Sequence, residues 1–218
     1  MGERGLQLAI IGTQCKSSFQ ILLEHWIGTE NLSYFCEDYP DEIDELVRIM
    51  MGKSKATVEY TAQSNVFGCI SWEDSSTQNL SPKMYEKFIK PEITTWCNIL
   101  RQAEKPYFQH ACGHLKDLLV LMAEQGISGI ESISPPPTGN ISIADAISLV
   151  PKNITIIGGI EPTHFLNDSL ETLLETVEEL IHVNKDRGFV LANSDSCPPG
   201  VEIEKFLKIS NFVREHIF

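Results

Sequence analysis

Tyr107-Phe108-Gln109-His110-Ala111-Cys112-Gly113-His114 reads as a buried strand that runs out into metal-binding chemistry. Side chains alternate faces along a strand, so His110 and Cys112, two positions apart, point to the same side. An imidazole nitrogen and a thiolate sulfur together at a strand end suit zinc. The distant residue that completes such a set is Cys197, in Asn193-Ser194-Asp195-Ser196-Cys197-Pro198-Pro199-Gly200, at the end of another apolar run. Polar side chains just past strand ends are where parallel α/β proteins carry their chemistry. The plainer reading makes His110 a core histidine satisfied by hydrogen bonds and the cysteines small buried hydrophobes.

Working outward, strands and helices alternate along the whole chain. Leu6-Gln7-Leu8-Ala9-Ile10-Ile11-Gly12 and Val66-Phe67-Gly68-Cys69-Ile70-Ser71-Trp72 are strands, each leaving into a polar loop. Ser17 and Ser18 suit a helix start, after which Phe19, Leu22, Leu23 and Trp26 recur at helical spacing. Pro40-Asp41-Glu42 opens a second helix with Ile43, Leu46, Val47 and Met50 on one face. Ser81-Pro82 opens another through Tyr85 and Phe88, and Pro91 begins or kinks the next. Beyond His114 come a helix over 115–124 ending at Gly126 and a strand over 127–133 that contains Glu131. Ser134-Pro135-Pro136-Pro137-Thr138-Gly139-Asn140 is a surface loop, because its prolines remove consecutive donors. A helix over 143–149, a strand over 154–159, a long helix over 169–184, a strand over 189–193 and a last helix over 202–218 follow. Six such strand–helix units with short connections predict an α/β fold, a parallel sheet with helical crossovers, in a single domain over 1–218.

The net charge of −13 on 218 residues disfavours nucleic acid and anionic membranes as partners, and its simplest meaning is solubility. Met1-Gly2-Glu3-Arg4-Gly5 leads into a short apolar run with no small-residue cleavage site, and no run of about 18 apolar residues would span a membrane. The six cysteines are too dispersed for a secreted disulfide scaffold, so a reducing, cytoplasmic setting is expected. Gly12-Thr13-Gln14 is not a phosphate loop, since no Gly-Lys-Ser/Thr follows. Gly158-Gly159 lacks the third spaced glycine of a dinucleotide site.

Several stretches in this order resemble the uroporphyrinogen decarboxylase superfamily of barrel enzymes. They are Glu73-Asp74 running into Leu80-Ser81-Pro82-Lys83-Met84-Tyr85 and Pro91; His110-Ala111-Cys112-Gly113; Pro135 to Asn140; Gly158-Gly159-Ile160-Glu161-Pro162; and the Asn193 to Pro199 turn. The resemblance implies a TIM-barrel-like (β/α) fold, here expected to lack the first two strand–helix units, with a homo-oligomer covering the open barrel edge. His-x-Cys with a remote Cys is similar to the zinc-dependent methyltransferase branch. Its members move a methyl group from a methylated corrinoid on a partner protein to a thiol such as coenzyme M. The resemblance implies zinc ligands at His110, Cys112 and Cys197, and at Glu131, whose place matches an acidic residue near the metal in cobalamin-independent methionine synthase. The decarboxylase branch has an arginine-rich N-terminal loop and a histidine near its last strand. Neither has a counterpart here, so porphyrinogen decarboxylation is not expected.

Methyl transfer to a thiol needs a thiolate at neutral pH, and zinc provides one by lowering the pKa of a coordinated sulfur. Three firm ligands leave a fourth position for substrate, with Glu131 a displaceable ligand and catalytic group. Glu73 and Asp74 follow a strand and are expected to face the mouth, Asp74 as a catalytic acid and Glu73 toward substrate; helix capping is the competing role. Glu161 is expected to contact substrate from a Gly-Gly-Ile-Glu-Pro turn, against the alternative of a turn shaped by Gly and Pro alone. His114 is either a donor behind the ligands or a helix-start residue. Two other functions fit the same residues: a non-catalytic relative that binds metal or a corrinoid protein, and a lyase acting without zinc.

Overall fold

A computed structural model describes residues 5–217. The readings placed on Met1 to Arg4 and on Phe218 lie outside it. In chain order the elements are β1 (Leu8–Ile10), α1 (Ser18–Ile21) continuing as a π-helical stretch (Leu22–Trp26), α2 (Thr29–Asp38), α3 (Pro40–Ala62) and β2 (Gly68–Trp72). Next come α4 (Pro82–Met84), a second π-helical stretch (Tyr85–Ile89), α5 (Lys90–Gln102), β3 (Tyr107–His110), α6 (Leu119–Ala123) and β4 (Gly129–Ile133). The chain ends with α7 (Ile143–Leu149), β5 (Thr155–Ile160), α8 (Pro162–Asn167), α9 (Leu170–Val183), β6 (Phe189–Asn193) and α10 (Ile203–Ile217).

The six strands among the described residues are all parallel and lie in the order β1 to β6. This unbroken sequential order, with helices as crossovers, is that of a (β/α) barrel. One face of the sheet packs against the helices. Trp96 of α5 meets Tyr107 of β3 edge to face at 6.2 Å, and Phe19 stacks on Phe88 at 4.4 Å. The other face carries Trp72, His110, Glu131, Ile157 and Val190 side by side, because the strand register aligns them. Among the described residues, no helix is long and apolar enough to cross a membrane.

Some elements differ from the sequence expectation for identifiable reasons. The predicted second helix reaches Ala62, because the buried face continues through Ser54 and Val58; a polar residue in the stripe hides the period. Helix α2 buries only Leu32 and so shows little amphipathic signal. Pro91 has no N–H to offer the preceding turn, and the chain just before it widens into the π-helical stretch. The helix expected over 115–124 is shortened to α6 because the residues after Cys112 are tied to the loop beyond β2. His114 N donates to Ser76 Oγ at 3.0 Å, and Thr77 N donates to the His114 carbonyl at 3.0 Å.

Candidate metal centre

The ends of β2, β3 and β4 bring Asp74, His110, Cys112 and Glu131 together. Trp72 and His110 are register partners, as are His110 and Glu131. Period-two alternation then puts Asp74 on the face of Trp72 and Cys112 on that of His110. Gly113 lets the loop close over them. Its φ is +79°, and a Cβ there would lie 2.9 Å from Ser76 Oγ. On the far side Ser132 takes φ +79° at an irregularity in the β4–β5 pairing. Such bulges re-aim side chains beside functional sites, and here the neighbour is Glu131.

Asp74 Oδ1 lies 3.4 Å from His110 Nε2 and 3.5 Å from Cys112 Sγ. Candidate ligand atoms of these three residues all fall within 4.8 Å of one another. Tetrahedral zinc with bonds of ~2.0–2.2 Å to nitrogen or oxygen and ~2.3 Å to sulfur sets N and O about 3.4 Å apart, and O and S about 3.6 Å apart. The donor types and the two spacings at Asp74 Oδ1 are therefore compatible with zinc.

His110 Nδ1 pairs with Glu131 Oε2, so the ring has a carboxylate at each nitrogen. Burial opposes the charged imidazolium, but the bonds to Asp74, Cys112 and Glu131 outweigh it and hold His110 up at about 12. Asp74 is held well below the usual carboxylate range: burial works against this, and His110 and Lys16 overcome it. Burial also pushes the Cys112 thiol up, with His110 pulling the other way. Without a metal, the cluster is thus a negative site neutralised by a protonated histidine and a lysine. Lys16, from the loop after β1, bonds Asp74 Oδ2; nothing in sequence spacing pointed to it.

The profile of the family described as "Uroporphyrinogen decarboxylase (URO-D)" matches residues 10–216. The chain belongs to the uroporphyrinogen decarboxylase family. Among solved structures it is similar to a methyltransferase from Methanosarcina mazei, with a TM-score of 0.75 and 14% identity over 92% of this chain and 57% of that one. This chain therefore spans little more than half the length of that relative, and the likeness is one of fold. A second match, the apo form of 3-keto-D-glucoside 4-epimerase from E. coli, has a TM-score of 0.44 and 10% identity, covering 92% and 87% of the two chains. No curated protein matches the sequence.

Not every residue singled out from the sequence joins the cluster. Cys197, expected as a ligand, is not in the Asp74, His110 and Cys112 group. It follows β6, three strands from β3, in the same loop as Asp195, whose charge is felt at Cys112. Asp74, expected as a catalytic acid, stands beside His110 and Cys112, and Glu131, expected as a ligand, pairs with His110 Nδ1. Glu73, expected to face substrate, is fully buried on the helix side and accepts from Ser17 N at 2.6 Å, Ser17 Oγ at 2.6 Å and Ser71 Oγ at 2.9 Å. Burial raises it to about 7, against the pull of the Ser17 hydrogen bond. Glu161 is also buried, capping α8 through Thr163 N at 2.7 Å and tying down the proline loop through Thr138. Strand parity separates Asp74 from Glu73, but the sequence alone does not show which face is the mouth.

Proposed function

We propose that this chain is a zinc-dependent methyltransferase that moves a methyl group from a methylated corrinoid, carried by a partner protein, to a small thiol of the coenzyme M type. The observation that carries the reading is the convergence of Asp74 Oδ1, His110 Nε2 and Cys112 Sγ within 4.8 Å of one another, at the strand ends of a uroporphyrinogen decarboxylase family sheet. These three residues would hold the zinc. Bound there, it would keep a coordinated acceptor thiol as the thiolate at neutral pH. Asp74 and Cys112 supply two negative charges, and His110 a neutral nitrogen once its Nε2 proton has gone. Glu131 accepts from His110 Nδ1 and so fixes the ring's tautomer and direction. Three protein ligands leave one position for the substrate sulfur. Trp72, 47% exposed on the same face, provides an apolar wall beside that position. The six free thiols support a reducing cytoplasmic setting.

Metal analysis of protein purified without added zinc tests this, repeated on Cys112→Ser. The wild type is expected to carry about one zinc per chain and the variant to lose it. Turnover of a methylated corrinoid with a small thiol is the second arm. Zinc without turnover leaves a relative that binds metal or a partner but does not catalyse. A wild type that binds no zinc turns the reading toward a lyase of the family.

A further inference from the structure

We propose that Lys16 is a positioning residue that restricts Asp74 to one-oxygen donation at the metal centre, an inference that rests on the zinc reading above. Lys16 is only 7% exposed. Its ammonium bonds Asp74 Oδ2, donates to the Trp72 carbonyl at 2.7 Å and pairs with Glu24 Oε2 at 2.9 Å. Lysine is almost never buried without partners, and fixing its long side chain sacrifices much rotamer freedom. Here all three ammonium hydrogens have an acceptor.

The loop that delivers Lys16 is shaped around it. Gly12 has φ +95°, and a Cβ there would sit 2.4 Å from the Lys16 carbonyl oxygen. Gln14 and Cys15 both take positive φ, +48° and +73°. Two consecutive non-glycine residues in that region are unfavourable and persist only where surrounding structure dictates them. Lys16 N donates to the Thr13 carbonyl at 3.1 Å, and Trp72 N donates to the Cys15 carbonyl at 2.7 Å. The loop is thereby pinned to the end of β2, two residues before Asp74.

The two oxygens of Asp74 are divided between different tasks. Oδ2 is taken by Lys16, while Oδ1 faces His110 Nε2 and Cys112 Sγ. A carboxylate free to turn can give both oxygens to a metal and fill the position a substrate thiol needs. Lys16 prevents this. Glu24 balances the ammonium, so the hold adds little net positive charge beside the site.

A double-mutant cycle on zinc affinity, measured by competition titration, tests the proposal. Lys16→Met frees Asp74 Oδ2 and removes a nearby positive charge, so zinc binding is expected to tighten by up to ~10-fold. Asp74→Asn is expected to weaken it, and Lys16→Met to tighten it less in that background than in the wild type. With cobalt(II) in place of zinc, the visible bands of Lys16→Met should lose intensity as a four-coordinate site becomes five-coordinate. Lys16→Gln, which keeps a donor for the Trp72 carbonyl, carries the same expectations and serves if the Met variant does not fold. An equal effect of Lys16→Met in both backgrounds, a loss of affinity, or wild-type affinity and spectrum in a variant whose metal-free unfolding midpoint alone has dropped, overturns the proposal and leaves the zinc reading standing. A wild type that takes up neither metal overturns both.

Discussion

His110 lies between two carboxylates, and the two do different work. Asp74 faces Nε2 on the side of Cys112, whereas Glu131 holds Nδ1 from behind. Glu131→Gln should therefore weaken zinc binding by ~10–100-fold without abolishing it, because the amide still orients the ring but accepts less strongly. Cys112→Ser should remove stoichiometric zinc, and Cys197→Ser should leave the zinc content unchanged. Metal content and competition titration of the three variants check this; zinc lost from Cys197→Ser would return residue 197 to the ligand set. The pairing of His110 with Cys112 was legible because alternation along a strand is a local rule. Asp74 was legible only as an acid near the mouth, since its part depends on how β2 and β3 align. Lys16 was not legible at all: its place follows from positive φ at Gln14 and Cys15, which neither residue type advertises.

At the scale of elements, the start of α1 is held by two buried glutamates from other parts of the chain. Glu73, after β2, takes the N–H and hydroxyl of Ser17; Glu92, in α5, takes those of Ser18 at 2.8 and 2.9 Å. Burial raises the pKa of Glu92, although Ser54 and Ser18 pull it down. An acid whose folded pKa exceeds its unfolded value binds its proton more tightly when folded. Its contribution to stability is complete below the unfolded pKa of ~4.3 and is lost as pH rises toward the folded value. Across that window stability falls by about 1.4 kcal/mol per pH unit for each such group. Chemical denaturation at pH 5 and pH 8 should show the wild type less stable at the higher pH, with a smaller difference in Glu92→Gln. Equal pH dependence in the two proteins would mean that Glu92 ionises as readily folded as unfolded. The serines were legible as a helix start by residue type. Their partners were not, because Glu92 beside Pro91 looks like an ordinary first-turn acid of its own helix.

For the whole molecule, the strand order followed from six apolar runs separated by helices, but the exposure of the sheet's mouth face did not. Register places Leu8, Ile10, Trp72 and Val190 on that one face, and all four are exposed. Among the described residues, β1 and β6 each have a strand neighbour on one side only. Exposed apolar side chains and strand edges without a neighbour among the described residues both favour association. The isolated chain is therefore expected to pair with a second copy of itself across this face. The net charge of −13 opposes that contact, since two copies repel. Salt shortens the range of the repulsion and leaves apolar burial intact, so association should strengthen from low to high ionic strength. Contacts held by ion pairs would respond in the opposite direction. Sedimentation at several protein and salt concentrations should thus show a dimer that grows with salt and is lost in Ile10→Asp, which puts a charge on the apolar face and adds to the repulsion. A chain that stays monomeric throughout, or a dimer that dissociates as salt is raised, would rule out self-association through this face.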